Sequence, residues 1–123
     1  AEDTARGFKL LQMLSRRYDV AVMNPPYGSF VPKVKEYVKA AYPLTSNDIY
    51  ATFIDRGTQL THPEGYVGAL VSRTFKTNVT LEDLREQILL KRNPLVVMLD
   101  LGSDILDDAT VEAAALVVHG GVQ

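Results

Sequence analysis

The chain has 123 residues, enough for one domain with a core of its own. Its 46% apolar and 23% charged content is ordinary for a soluble globular protein, and the absence of cysteine excludes disulfides and zinc–thiolate sites and fits a reducing compartment. With 13 Lys and Arg against 15 Asp and Glu, the net charge of −2 lacks the basic excess of a dedicated nucleic-acid binder. No apolar run approaches the roughly 20 residues of a membrane helix. The start is charged and polar, not a secretion signal, and opening on Ala1 fits a piece excised from something longer.

Phe8, Leu11 and Leu14 recur at helical spacing and predict a helix over residues 5–17. Tyr18 to Met23 is short, apolar and valine-rich, as expected of a strand buried on both faces. Pro25 and Pro26 end it, since proline donates nothing to a sheet ladder, and Gly28 and Ser29 continue the loop. Pro32 suits the first position of a second helix, which runs to about Ala41 and is broken by Pro43. Ser46 or Asn47 then caps a third helix, 48–60, with Ile49, Phe53, Gly57 and Leu60 along one face. Gly57 inside that helix suggests close packing on the sheet.

Pro63-Glu64-Gly65 reads as a turn and Tyr66 to Val71 as a second strand. Thr80 and Asp83 have capping-box spacing, and Val79 and Leu84 can form a hydrophobic staple, so a helix is predicted from Thr80 to about Lys91. Asn93-Pro94 stops it. Leu95 to Leu101 and Ala113 to Val118 are two further strands. Strands alternating with helices predict a single α/β domain, 1–123, with a mainly parallel sheet flanked by helices. Ligands of such sheets sit beyond the carboxyl ends of the strands, where Asn24 to Tyr27 lie.

Asn24-Pro25-Pro26-Tyr27 carries the chemistry. An exocyclic amino group on adenine is a poor nucleophile, because its lone pair is delocalised into the ring. Two acceptors that take its two hydrogens pull the nitrogen toward a tetrahedral state and localise the pair. The Asn24 side-chain oxygen is one acceptor. The Pro25 carbonyl, restricted in direction by Pro26, is the other. Tyr27 offers a face for stacking, worth ~1–3 kcal/mol per base. The amide is not a strong base, so the implied mechanism is alignment and electrostatics, with direct attack on a sulfonium methyl. The tetrapeptide alone does not choose among amino groups of DNA, RNA and protein glutamine.

The segment Tyr18 to Gly28 resembles the catalytic strand and loop of adenine-N6 DNA methyltransferases. Asp48-x-Tyr50-x-x-Phe53 looks like the family's next helix. Pro63 to Gly68, Thr80 to Leu90, Leu99 to Gly102 and Val111 to Ala114 follow in the family's order. Within the family, the Lys-rich stretch before Tyr42-Pro43 is most similar to the large enzymes of combined restriction-modification and bacteriophage-exclusion systems. The resemblance implies a cytoplasmic bacterial or archaeal enzyme that marks host DNA, with S-adenosylmethionine as methyl donor. It places Asn24, Pro25 and Tyr27 on the target adenine, flipped from the duplex. It places Phe53 against the donor's adenine ring, with Pro26 and Leu106 toward the DNA. Leu106 stands where the family uses an aromatic, and Ile105 is no better. Only 17 residues precede Tyr18, without the family's Gly-rich donor loop. The chain therefore looks like the carboxyl-terminal, catalytic half of a Rossmann-like domain. The expected partners are the missing amino-terminal half, a separate target-recognition domain and DNA, but no membrane.

Lys33, Lys35 and Lys39 after the loop, and Arg73 and Lys76 after the second strand, are candidate phosphate contacts that position DNA without reading sequence. The lysines read equally as a solvated helix face, and for Arg73 and Lys76 solvated surface is the favoured reading. His62 and His119 lack ligand spacing and read as surface or packing residues. Asp104, Asp107 and Asp108 read as a capping or solvated acidic turn rather than a metal site. Met13, Met23 and Met98 read as core. A half-sheet exposes an unpaired edge, which predicts self-association of the isolated chain. The competing readings are a methyltransferase acting on RNA or protein glutamine, and a degenerate binding module.

Overall fold

The computed structural model describes residues 1–105 and 112–121. Four strands, β1 (Tyr18–Met23), β2 (Thr61–Ser72), β3 (Leu95–Gly102) and β4 (Ala113–His119), form one sheet in the order β1-β2-β4-β3. Four helices accompany them: α1 (Glu2–Ser15), α2 (Pro32–Ala41), α3 (Ile49–Leu60) and α4 (Leu84–Arg92).

The α/β class stands, but the mainly parallel sheet does not. β1 pairs with β2 in parallel, with Ala21 opposite Val67, whereas β4 is antiparallel to both β2 and β3. β4 inserts between β2 and β3, so β1, β2 and β3 still point the same way. Their carboxyl ends, at Met23, Ser72 and Gly102, share one edge of the sheet.

The local chemistry explains most element ends. Pro32 opens α2 in its first turn, where a missing N–H costs nothing. Neither Ser46 nor Asn47 caps α3. Asp48 does, its Oδ1 accepting the Tyr50 N–H at 3.0 Å, while Asn47 donates to the Thr80 carbonyl at 3.1 Å. Pro63 to Gly65 is a bulge within the span of β2: the β1–β2 register shifts between Tyr18 and Val20 there. The Thr80 capping box does not form. Asn78 Oδ1 accepts the Thr80 N–H at 3.0 Å in a short 3-10 turn, Val79–Leu81, and α4 begins only at Leu84, wound as a π-helix.

α3 lies on β1 and β2. Tyr50, Ala51 and Ile54 join Val67, Val71, Leu84, Ile88, Leu116 and Val118 in one buried core. Gly57 packs as expected: a Cβ there would meet Met23 Cε at 2.6 Å and Val67 Cγ1 at 3.1 Å. A buried polar knot braces the same region. Asp55 accepts from Arg92 Nη2 at 2.6 Å and from the Thr45 hydroxyl at 3.1 Å.

The other flank is open. α1 buries no residue, and β1 is not covered on both faces, with Val22 81% exposed. β1 is one of the sheet's two edge strands, β3 being the other. Met23 does pack on the core, but Met13 and Met98 are about half exposed, at 52% and 42%. Among the described residues, no helix is long and apolar enough to cross a membrane.

Candidate active site

β1 delivers its carboxyl end to a loop whose shape is set by its residues. Two prolines in succession restrict the backbone at Pro25 and Pro26. Asn24 is exposed, Pro25 buried, Pro26 exposed and Tyr27 half-buried. Gly28 then adopts φ 111°, in the region that favours glycine. Its carbonyl accepts the Ile49 N–H at 2.8 Å, which fastens the loop to the start of α3.

Tyr27 and Tyr50 stand perpendicular, with ring centroids 5.7 Å apart and an interplanar angle of 88°. Burial raises the pKa of Tyr27 and pushes that of Tyr50 up to about 12. The buried Tyr27 hydroxyl has no hydrogen-bond partner among the described residues, and that of Tyr50 faces the Thr74 side chain without a well-formed bond. Both rings are therefore neutral at ordinary pH and act as packed surfaces, not as acids. Asp48 is also raised by burial, although the Tyr50 and Gly28 amides favour its charged form. The uncharged Asn24 amide, at the mouth of this arrangement, offers an acceptor oxygen and no base.

Phe53 lies one helical turn after Ile49 and is 46% exposed. Its ring borders a cleft of about 430 Å³ together with Leu14, Val20, Val22 and Met23. Arg56, also on that cleft, donates to the Leu14 carbonyl at 3.4 Å. Its lining is mostly apolar and holds no carboxylate.

The candidate phosphate contacts fall into two groups. Lys33 and Lys35 are exposed in the first turn of α2, while Lys39 reaches Glu36 at 3.8 Å. Arg73 and Lys76 come to the same sheet edge as Asn24, but each already faces carboxylates. Arg73 Nε lies 3.0 Å from Glu112 and its Nη1 3.8 Å from Asp100, and Lys76 Nζ lies 2.6 Å from Asp100. The hydrogen bond from Lys76 is the main reason that the Asp100 carboxyl sits below its ordinary pKa. Leu106, Asp107 and Asp108 lie outside the described residues, and Ile105 is exposed.

His119 tilts against Tyr66, with centroids 5.3 Å apart, and His62 borders an open hollow of about 750 Å³ with Asp19 and Glu64. That hollow is at the amino end of β1, away from the tetrapeptide. Among the described residues, no group of three or more His, Asp or Glu could hold a metal ion. Sequence reasoning missed Asp48 and Tyr50 as supports of the loop. The signal was present, since both lie in the Asp48-x-Tyr50-x-x-Phe53 segment, but only Phe53 received a role.

The fold is that of the class I S-adenosylmethionine-dependent methyltransferases. A crystal structure assigned to that class, from Listeria monocytogenes, superposes with a TM-score of 0.72 at 17% identity, over 88% of this chain and 33% of that one. Residues 1–105 match the Eco57I restriction-modification methylase family, and the chain belongs to it. A protein of Methanocaldococcus jannaschii, assigned as a type II restriction enzyme and methyltransferase, is 28% identical over 83% of the chain. The adenine-specific methyltransferase PglX of Lacticaseibacillus casei is 27% identical over 86%. The chain spans 9% of the length of each of these two relatives.

Proposed function

We propose that this chain is the catalytic segment of an enzyme that transfers a methyl group from S-adenosylmethionine to the N6 amino group of adenine in DNA, in restriction-modification or phage defence. The observation that carries the reading is the tetrapeptide at the carboxyl end of β1, held on the helix that also bears Phe53. Asn24 Oδ1 and the Pro25 carbonyl accept the two N–H bonds of the adenine amino group. That orients its lone pair and relieves the need for a strong base. Tyr27 supports the base from one side. Phe53 packs on the adenine ring of S-adenosylmethionine, which when bound supplies the electrophilic methyl.

Residues 1–123 act as one structural unit in this reading. The enzyme works in the cytoplasm, and the outer side of β1 receives the remainder of the donor-binding half. A target-recognition domain elsewhere in the enzyme reads the DNA site, while Lys33, Lys35, Arg73 and Lys76 contribute phosphate contacts. For Arg73 and Lys76 that requires exchange of their present carboxylate partners.

The test offers labelled S-adenosylmethionine to the full-length protein with duplex DNA, RNA and total cell protein as acceptors. The expected product is N6-methyladenine in DNA. Label in RNA or in protein glutamine instead transfers the tetrapeptide to a different substrate. No transfer to any acceptor, without donor binding, identifies a binding module.

A further inference from the structure

We propose that Asp48 is a positioning residue: with Ile49 and Tyr50 it clamps the Asn24–Tyr27 loop onto the first turn of α3. The inference rests on the function proposed above and extends it to residues that touch neither substrate nor donor.

Asp48 sets the helix start, and the next two residues grip the loop from it. Asp48 Oδ1 accepts the Tyr50 N–H at 3.0 Å, which caps α3 and orients its first turn. The Ile49 N–H has no acceptor within the helix, as for every first-turn amide, and donates to the Gly28 carbonyl at 2.8 Å. The Tyr50 ring, 1% exposed, stands against Tyr27 at 5.7 Å.

The loop and the helix start are thus joined at the Gly28 carbonyl and at the Tyr27 ring. Pro25 and Pro26 leave little slack between Gly28 and Asn24, so a displacement at Gly28 passes to the Asn24 amide and the Pro25 carbonyl. These are the two acceptors that must meet one amino nitrogen. A shift of about 1 Å there costs on the order of 100-fold in rate.

The experiment compares Asp48→Ala and Asp48→Asn with wild type in the full-length protein. Amide hydrogen exchange is read at Ile49, with Leu116 as a fold control, together with kcat and the KM for S-adenosylmethionine. Asparagine caps helices about as well as aspartate and keeps one acceptor oxygen. In Asp48→Ala, Ile49 exchange is expected to rise about fivefold or more, the scale of a lost cap, with Leu116 unchanged. Its kcat falls on the order of 10- to 100-fold with KM within about threefold, and Asp48→Asn recovers most of the loss. Wild-type exchange at Ile49 in Asp48→Ala overturns the clamp. So does a change confined to KM, or an equal kcat loss in both variants. If wild type transfers no methyl group at all, the proposed function fails, and the exchange measurement still decides whether the clamp exists.

Discussion

α3 and α1 are both amphipathic helices of similar length, yet α3 buries seven of its twelve residues and α1 none of its fourteen. The strands repeat the contrast. In β2, Val67 and Val71 are fully buried, while in β1, Val20 and Val22 are 55% and 81% exposed. An apolar stripe shows that a helix or strand has a face to cover, and nothing about what covers it. Here the covered region surrounds α3, and the open one runs from α1 along the outer side of β1. The tetrapeptide sits at their border, since it continues from β1 but is fastened to α3.

The sharpest way to break this contrast is to cut into the packed side. Ile54→Ala, at a fully buried position between α3 and the sheet, is expected to cost about 2–5 kcal/mol in chemical denaturation. A cost under about 1 kcal/mol would mean that this core is looser than its burial implies. Asp55→Ala comes next. It strips the acceptor from Arg92 and Thr45, and about 3 kcal/mol is expected, the low end for a broken buried pair because Arg92 is partly solvated.

On the open side, Leu11→Ser changes stability by no more than about 0.5 kcal/mol, because Leu11 is 61% exposed. It should weaken self-association of the isolated chain, read by size exclusion with light scattering. A monodisperse wild-type monomer would show that the apolar flank of α1 and β1 does not drive association. The smallest effect concerns the charges at the sheet edge. Asp100 is depressed chiefly by Lys76, so their contact stabilises the fold above the ordinary carboxylate range and is lost as pH falls through the lowered value. An NMR titration of Lys76→Met should move the Asp100 pKa back up. An unmoved value would assign the shift to Arg73 or the Gly102 amide.

Much of this was legible in the residues, for identifiable reasons. β1 and α2 have their predicted bounds because Pro25, Pro32 and Pro43 punctuate them. The cap of α3 was misplaced because Ser46, Asn47 and Asp48 are all good capping residues in a row. Geometry chose Asp48, the one whose carboxylate meets the Tyr50 N–H. The antiparallel insertion of β4 was not legible, since an apolar run carries no direction. Nor was the π winding of α4, whose buried Leu84, Ile88 and Leu89 still satisfy a helical period. In the site, Asn24, Tyr27 and Phe53 stood out by type and order. Tyr50 did not, because a tyrosine that supports another ring looks like any core aromatic.

The most direct measurement is methyl transfer by the full-length protein with duplex DNA, wild type beside Asn24→Ala. If Asn24 supplies one of the two acceptors that align the adenine nitrogen, transfer falls on the order of 100-fold or more while S-adenosylmethionine still binds. Asn24→Ala methylating DNA at the wild-type rate would contradict the account, because the tetrapeptide would then not be where the chemistry occurs.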